Sequence, residues 1–238
     1  MLVLIVSGGE KNQHLYAEDW IEYTKAHGKP TVVGVDGGAL WLVEHRFSCD
    51  LAVGDFDTIG EDGVSLLKAR GIPLLRADAE KDETDTEMAL NWALSNGARV
   101  IVIEGGMGER FDHSLSNIQL LYRCYQKGVS CVVQNPWNRV RLLGPGETRF
   151  NVRWPFVSLI PFSEVVRGVS LDGFYYSLHD EDLSWGYGRG ISNEPLRSEV
   201  SIRIQEGYLL VIESRDPLSD ARKKGQKKTK GRPEAEGQ

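Results

Sequence analysis

Short apolar runs alternating with helical periodicity over the first 135 residues constrain this chain more than any other feature. β-Branched or apolar stretches occur at residues 2–6, 31–35, 51–53, 72–75, 100–103 and 129–133. Helical patterns fill most of the gaps, such as 15–27 stopped by Gly28 and 115–127 stopped by Gly128. Glycine just past a helix is the expected left-handed terminator. Strands and helices in this order predict an α/β fold, a mostly parallel sheet with helices on both faces. Such a sheet takes its ligands beyond the carboxyl ends of its strands.

After Pro136 the helical periodicity stops. Short strands separated by Gly and Pro take over at 140–143, 156–160, 164–169, 199–204 and 208–212, which predicts a small C-terminal β-sandwich. The expected organisation is an α/β part over 1–136, an all-β module over 137–218 and a disordered basic tail over 219–238. That tail is rich in Lys, Gly and Gln with almost no apolar residue.

The net charge of −6 conceals an asymmetry. The tail holds seven basic and three acidic residues, so residues 1–218 carry 21 basic and 31 acidic side chains, a net of −10. A body this acidic repels phosphate backbones, so no specific nucleic-acid partner is expected. No apolar run approaches the roughly 18 residues of a membrane span, and the opening run lacks the basic leader and length of a signal peptide. Cys49, Cys124 and Cys131 are too few for a disulfide framework and lack metal-ligand spacing, which predicts a reducing, cytoplasmic home.

The acids fall at strand ends. Asp36-Gly37-Gly38 follows the second run and Gly54-Asp55-Phe56-Asp57 the third. Lys81-Asp82-Glu83-Thr84-Asp85-Thr86-Glu87 follows the fourth, and Glu104-Gly105-Gly106-Met107-Gly108-Glu109-Arg110-Phe111-Asp112-His113 the fifth. All four belong to one sheet edge, where like charges repel unless a hard cation with oxygen ligands relieves them. Two apart in an extended segment, Asp55 and Asp57 leave on the same side and can share an ion, while Phe56 faces the core. Each motif alone also fits a simpler use. Asp36 could cap a helix, Asp55 and Asp57 could be solvated, and Arg110 and Asp112 could form a weak surface pair. Thr84-x-x-Glu87 fits a capping box, which leaves Asp82 and Asp85 unexplained.

In order and spacing these motifs resemble those of the thiamine pyrophosphokinases: Asp36-Gly37-Gly38, Gly54-Asp55-Phe56-Asp57, Lys81-Asp82-x-Thr84-Asp85-x-Glu87 and Arg110-x-Asp112-His113-x-Leu115-x-Asn117. The stretch from Val166 to Leu178 and Gly190-Ile191-Ser192-Asn193-Glu194 resemble that family's vitamin-binding β domain. The resemblance implies transfer of a pyrophosphoryl group from ATP to thiamine, giving AMP and thiamine diphosphate, in a homodimer whose active sites lie between subunits. It implies Mg²⁺ on Asp55, Asp57 and Asp85, and nucleotide contacts from Asp36, Gly37, Gly38, Asp82, Arg110, His113 and Asn117. Arg110, Asp112 and Asp85 become the catalytic candidates, with Asp112 or Asp85 taking the hydroxyl proton and His113 a further possibility. Ser192 and Asn193, with Asp112, would meet thiamine. Other readings are a pyrophosphokinase for another hydroxymethyl heterocycle, such as a pterin, and a non-catalytic sensor of nucleotide or thiamine. One departure from the family pattern is Glu109, which stands where the family has glycine before the arginine.

Overall fold

A computed structural model of the chain describes residues 1–76 and 82–216. The expectations for the tail, and for Lys81, lie outside the described residues. Eleven elements alternate over the first part: β1 Leu2–Val6, α1 Gln13–His27, β2 Thr31–Val35, α2 Gly37–Glu44, β3 Leu51–Gly54, α3 Gly60–Ala69, β4 Leu74–Arg76, α4 Asp85–Ser95, β5 Val100–Glu104, α5 Phe111–Gln126 and β6 Ser130–Gln134. The strands lie in the order β4-β3-β2-β1-β5-β6, all parallel. β1 shows why helices cover both faces. Val3 and Ile5 enter the core under α4 and α5, while Leu2, Leu4 and Val6 enter the core that holds Tyr16 of α1 and Leu42 of α2. This is the two-residue alternation of a strand buried on both sides. The fourth strand begins two residues later than the apolar run predicts. Pro73 has no amide to give the ladder, and only its carbonyl is used, by Ala52.

Seven further strands follow: β7 Asn138–Leu143, β8 Gly146–Asn151, β9 Phe156–Pro161, β10 Val165–Asp172, β11 Glu181–Ser184, β12 Glu199–Ile204 and β13 Leu209–Ser214. The large sheet does not stop where the helices do. β7 pairs with β6 antiparallel, and β13 and β9 extend the sheet to nine strands. The remaining strands form a second sheet, β11-β10-β12-β8, which packs on that extension. Val157 and Leu159 of β9 and Val211 of β13 share a core with Val166, Val169, Ile202 and Ile204. The β-sandwich is therefore built on one end of the large sheet. β8 and β11 were not expected, because GETRFN and EDLS carry too few apolar side chains to read as strands.

A ladder of buried polar residues crosses the seam. Glu104, Gln134, Arg139 and Glu213 occupy one register on β5, β6, β7 and β13. Gln134 Nε2 donates to Glu104 at 2.7 Å, Arg139 Nε donates to Gln134 Oε1 at 3.2 Å, and Arg139 pairs with Glu213 at 3.7 Å. Tyr23 and Asp19 of α1 also bond Gln134, so the ladder ties the first helix to the seam.

The chain leaves β1 toward β2 on one side and returns to β5 on the other, so the switch point of the sheet lies between the ends of β1 and β5. Close backbone approach there depends on glycine. A Cβ on Gly38 would stand 1.9 Å from the carbonyl oxygen of Val6. Gly38→Ala should destabilise the protein by about 1–3 kcal/mol through this overpacking, read as a lower midpoint in urea denaturation.

Candidate active site

Two strand ends, those of β2 and β3, bring three acids together. One carboxylate oxygen from each of Asp36, Asp55 and Asp57 lies within 4.8 Å of the other two. The means differ from simple strand alternation. β3 ends in Gly54 at φ +150°, and Phe56 adopts φ +66°, so the segment turns instead of extending. Phe56 is buried with Ala39, Val43, Ala52, Val64 and Leu67. Burial of that ring holds the turn, and the Asp57 amide donates to Asp55 Oδ1 at 3.1 Å. Asp36 itself stands at φ +45°, and at the start of α2 its side chain caps nothing. Left-handed backbone at a non-glycine residue costs free energy of order 1 kcal/mol and clusters where function needs it.

The electrostatics favour a cation. Asp36 Oδ1 is buried without a hydrogen-bond partner. Burial, opposed by a hydrogen bond from Thr58 and assisted by the charges of Asp85, Asp57 and Asp55, raises the Asp36 carboxyl above its ordinary range. Hard oxygen donors, an orphaned buried oxygen and mutual repulsion fit a divalent ion such as Mg²⁺. Asp85 lies outside the group of three yet close enough for its charge to act on Asp36. It opens α4, where Thr84 caps the helix by accepting from the Glu87 amide at 3.2 Å. Only this half of the expected capping box forms, because the Glu87 carboxylate pairs with Arg123. Asp82 is exposed in the preceding loop.

The β5 turn carries the next group. Gly105 is left-handed and Gly106 packs its backbone against Val133. Asn117 Nδ2 donates to the Gly106 carbonyl at 2.8 Å and Ser114 accepts from the Gly108 amide at 3.1 Å. Asn117 is buried, and this bond shapes the turn. Arg110 precedes α5 and makes a forked, exposed pair with Asp112, with bonds of 2.6 and 3.3 Å. The hydrogen bond from Arg110 holds the Asp112 carboxyl below the usual carboxylate range. His113 and Glu109 are exposed beside them.

Two groups of functional interest carried no signal in the sequence. Lys11 reaches back from the loop after β1, and its ammonium donates to the carbonyls of Ser7 at 2.6 Å and Gly9 at 2.7 Å. Ser7 Oγ bonds Thr86 Oγ1 of α4 at 2.9 Å. No motif marks a lysine five residues past a strand, and only the fold brings it under the β5 turn.

In the β module, Ser192 is exposed at φ +56° and its amide donates to Ser158 Oγ at 3.0 Å. Asn193 is buried. Its main chain bridges Val157 of β9, and its amide side chain bonds the Tyr176 backbone in both directions. Asn193 thus props the loop, which leaves Ser192 as the presented group. Tyr175, Tyr176, Trp185, Tyr187, Ile191 and Leu196 are exposed on the β module, and Phe111 and Leu115 are exposed on α5 in the other part. Trp185 Nε1 donates to the Pro161 carbonyl at 2.9 Å, which fixes the indole at the surface.

The two halves stand far apart. Val157, the bridge partner of Asn193, shares the rim with the strand ends near the acids. Seven strand intervals separate β9 from β3. At about 4.8 Å per interval that is roughly 30 Å along the sheet.

Comparison with known proteins accords with this arrangement. Residues 25–133 match the family description "Thiamin pyrophosphokinase, catalytic domain", and residues 148–209 match "Thiamin pyrophosphokinase, vitamin B1 binding domain". The chain is 35% identical over 216 residues to the thiamine pyrophosphokinase of Bacillus subtilis, covering 89% of this chain and 98% of that one. The crystal structure of thiamine pyrophosphokinase from Bacillus subtilis superposes with a TM-score of 0.81 at 32% identity, covering 91% of this chain and all of the other. That of Geobacillus thermodenitrificans superposes at 0.79 and 32% identity, covering 92% and 99%. With both family models matched in order and a relative 35% identical along nearly its whole length, the chain belongs to the thiamine pyrophosphokinase family.

Proposed function

We propose that this protein transfers a pyrophosphoryl group from ATP to the hydroxyl of thiamine, releasing AMP and thiamine diphosphate. The observation that carries the reading is the three-carboxylate cluster of Asp36, Asp55 and Asp57, on the rim of a chain that also holds the family's vitamin-binding module. Asp36, Asp55 and Asp57, with Asp85 beside them, would hold Mg²⁺, which supplies charge neutralisation of the nucleotide phosphates.

The chain's own residues have separate tasks. Transfer of this kind asks for alignment of the hydroxyl with the phosphorus and for neutral surroundings as the charge moves. The exposed Arg110 fork suits two phosphate oxygens better than an ammonium would. A phosphate that takes Arg110 must compete with Asp112 for it. Releasing Asp112 removes the hydrogen bond that depresses its pKa, so nucleotide binding makes Asp112 a better acceptor for the thiamine hydroxyl proton. Asp36, Gly37 and Gly38 turn the chain closely under the nucleotide side, Asp82 and His113 flank it, and Asn117 holds the β5 turn in place. Ser192 offers a hydroxyl toward thiamine, and Asn193 fixes the loop that presents it.

A site made from both halves needs two chains. The roughly 30 Å along the sheet between β9, which Asn193 bridges, and β3, and the exposed aromatic and aliphatic side chains on both parts, support a homodimer in which the β module of one subunit faces the acids of its partner. Among the described residues no helix is long and apolar enough to cross a membrane. Free Cys49, Cys124 and Cys131 suit a reducing cytoplasm.

Incubation of the protein with ATP, Mg²⁺ and thiamine should yield AMP and thiamine diphosphate in equal amounts; ADP as the sole nucleotide product, or no turnover, refutes the proposal. Asp55→Asn and Asp57→Asn should each lower kcat by at least about 100-fold and weaken the Mg²⁺ dependence of turnover. A shared site also predicts complementation. Mixing inactive Asp55→Asn chains with inactive Ser192→Tyr chains should restore about a quarter of wild-type turnover, the statistical share for one intact site per mixed dimer. Absence of recovery in a verified mixed dimer would place both halves within one subunit.

A further inference from the structure

The loop after β1 is held by a charge that the proposed chemistry does not use. Lys11 folds back along its own loop, and its ammonium joins the carbonyls of Ser7 and Gly9 at 2.6 and 2.7 Å. The lysine stem lies against Gly105, where an added Cβ would stand 3.0 Å from Lys11 Cγ. The two residues it gathers are the ones through which the loop touches the site. The Ser7 hydroxyl bonds Thr86, the neighbour of Asp85 in the first turn of α4. The Gly9 amide donates to the Gly105 carbonyl at 2.9 Å, and Gly9 packs on Gly108 at the turn that leads to Arg110. One ammonium thus braces two segments that enter the switch point from opposite sides.

We propose that Lys11 is a positioning residue, an internal clamp that fixes the Asp85 helix start and the Arg110 turn relative to each other through Ser7 and Gly9. The kinetic part rests on the pyrophosphoryl-transfer reading above; the structural part does not.

The surroundings of Lys11 make the clamp costly to keep. Facing its ammonium are the two carbonyls, the Trp41 ring of α2 with its centroid at 5.6 Å, and the charge of Glu104 on β5. Glu104 is in turn faced by Gln134 on β6, Asp19 on α1 and Arg139 on β7. Burial lowers the Lys11 pKa to about 8 despite Glu104, and burial raises Glu104 to about 7. The folded pKa of Lys11 is therefore below its unfolded value. Between the two values the unfolded chain binds more protons, so this group opposes folding fully below about pH 8, and its cost is relieved as pH rises toward the unfolded value. A half-buried cation that lowers stability needs another reason to be there, and fixing two loops of the site is one. The clamp itself has the opposite dependence on pH. Its two bonds are charge-assisted by the ammonium and weaken as pH rises through about 8.

The test compares wild type with Lys11→Met and Lys11→Arg. At pH 7, amide hydrogen exchange at Gly9 should be roughly tenfold faster in Lys11→Met than in wild type. Amides in the middle of β1 and β5 should keep their protection, and the melting temperature should be equal to wild type or higher. Turnover should lose roughly 10- to 100-fold in kcat with little change in the thiamine KM. Lys11→Arg, charged at every accessible pH, should keep most of the kcat at pH 7. Wild type should lose kcat as pH rises through about 8, and Lys11→Arg should lack that fall. Unchanged Gly9 exchange in Lys11→Met overturns the clamp, whether or not the protein turns thiamine over. Faster exchange with wild-type kcat overturns the positioning role. Equal loss of kcat and melting temperature in both variants reduces Lys11 to packing and overturns it as well.

Discussion

Mutual repulsion among Asp36, Asp55 and Asp57 is the condition around which this rim is organised. One oxygen from each lies within 4.8 Å of the others, a spacing that unpaired carboxylates in water would relax by turning away. They are not free to do so. Asp36 and Phe56 are set in left-handed backbone, Gly54 gives β3 its sharp end, and the buried Phe56 ring locks the turn between the two aspartates. Burial of the apolar ring, worth about 2 kcal/mol or more, offsets the strain and the repulsion on either side of it. The core under α2 and α3 therefore maintains an electrostatically unfavourable surface whose natural relief is a divalent cation carrying phosphate.

The same rim explains why one chain is insufficient on the proposed reading. Extending the parallel sheet with β7, β13 and β9 keeps the vitamin-binding module rigidly attached, since its inner sheet is the outer part of the catalytic one. The shared sheet sets the bridge of Asn193 to β9 seven strand intervals from β3, where the acids lie. A continuous sheet is thus a reason for pairing two copies, where two separately tethered domains could have closed on each other.

Much of the fold was legible because buried parallel strands and amphipathic helices leave strong periodic signals. Every strand of the first part lay on or beside an apolar run, and the acids were read at the correct strand ends. What escaped notice had a weak local signature. β8 and β11 are polar, and their pairing depends on β12 and β10 lying beside them. The sequence suggested that Asp55 and Asp57 share a side through extension, whereas a left-handed Phe56 achieves it. Asp36 was placed on the acidic rim but left out of the metal ligands, yet it stands among the three clustered carboxylates, because the approach of β2 to β3 is a long-range fact. Asn117 and Asn193 were matched as ligand contacts, and in the fold each donates its side-chain amide to a main-chain carbonyl. A motif records that a residue type is required without recording whether ligand or backbone requires it. Lys11 had no motif at all.

The polar ladder across the seam connects these points. Glu104, Gln134, Arg139 and Glu213 are buried on successive strands at one register, and each is bonded or paired to the next. Buried ion pairs of this kind contribute little net stability, since desolvation offsets their attraction. Their effect on register is stronger. A slip of one residue at the β6–β7 or β7–β13 junction would turn Arg139 or Glu213 to the opposite face and leave a charge unpaired in the core. The apolar side chains of β7 and β13 would tolerate that slip far better than the ladder does. Polar specificity at the seam thus aligns the β module with the catalytic rim, and the Glu104 end of the ladder lies under Lys11, where the loops of the site begin.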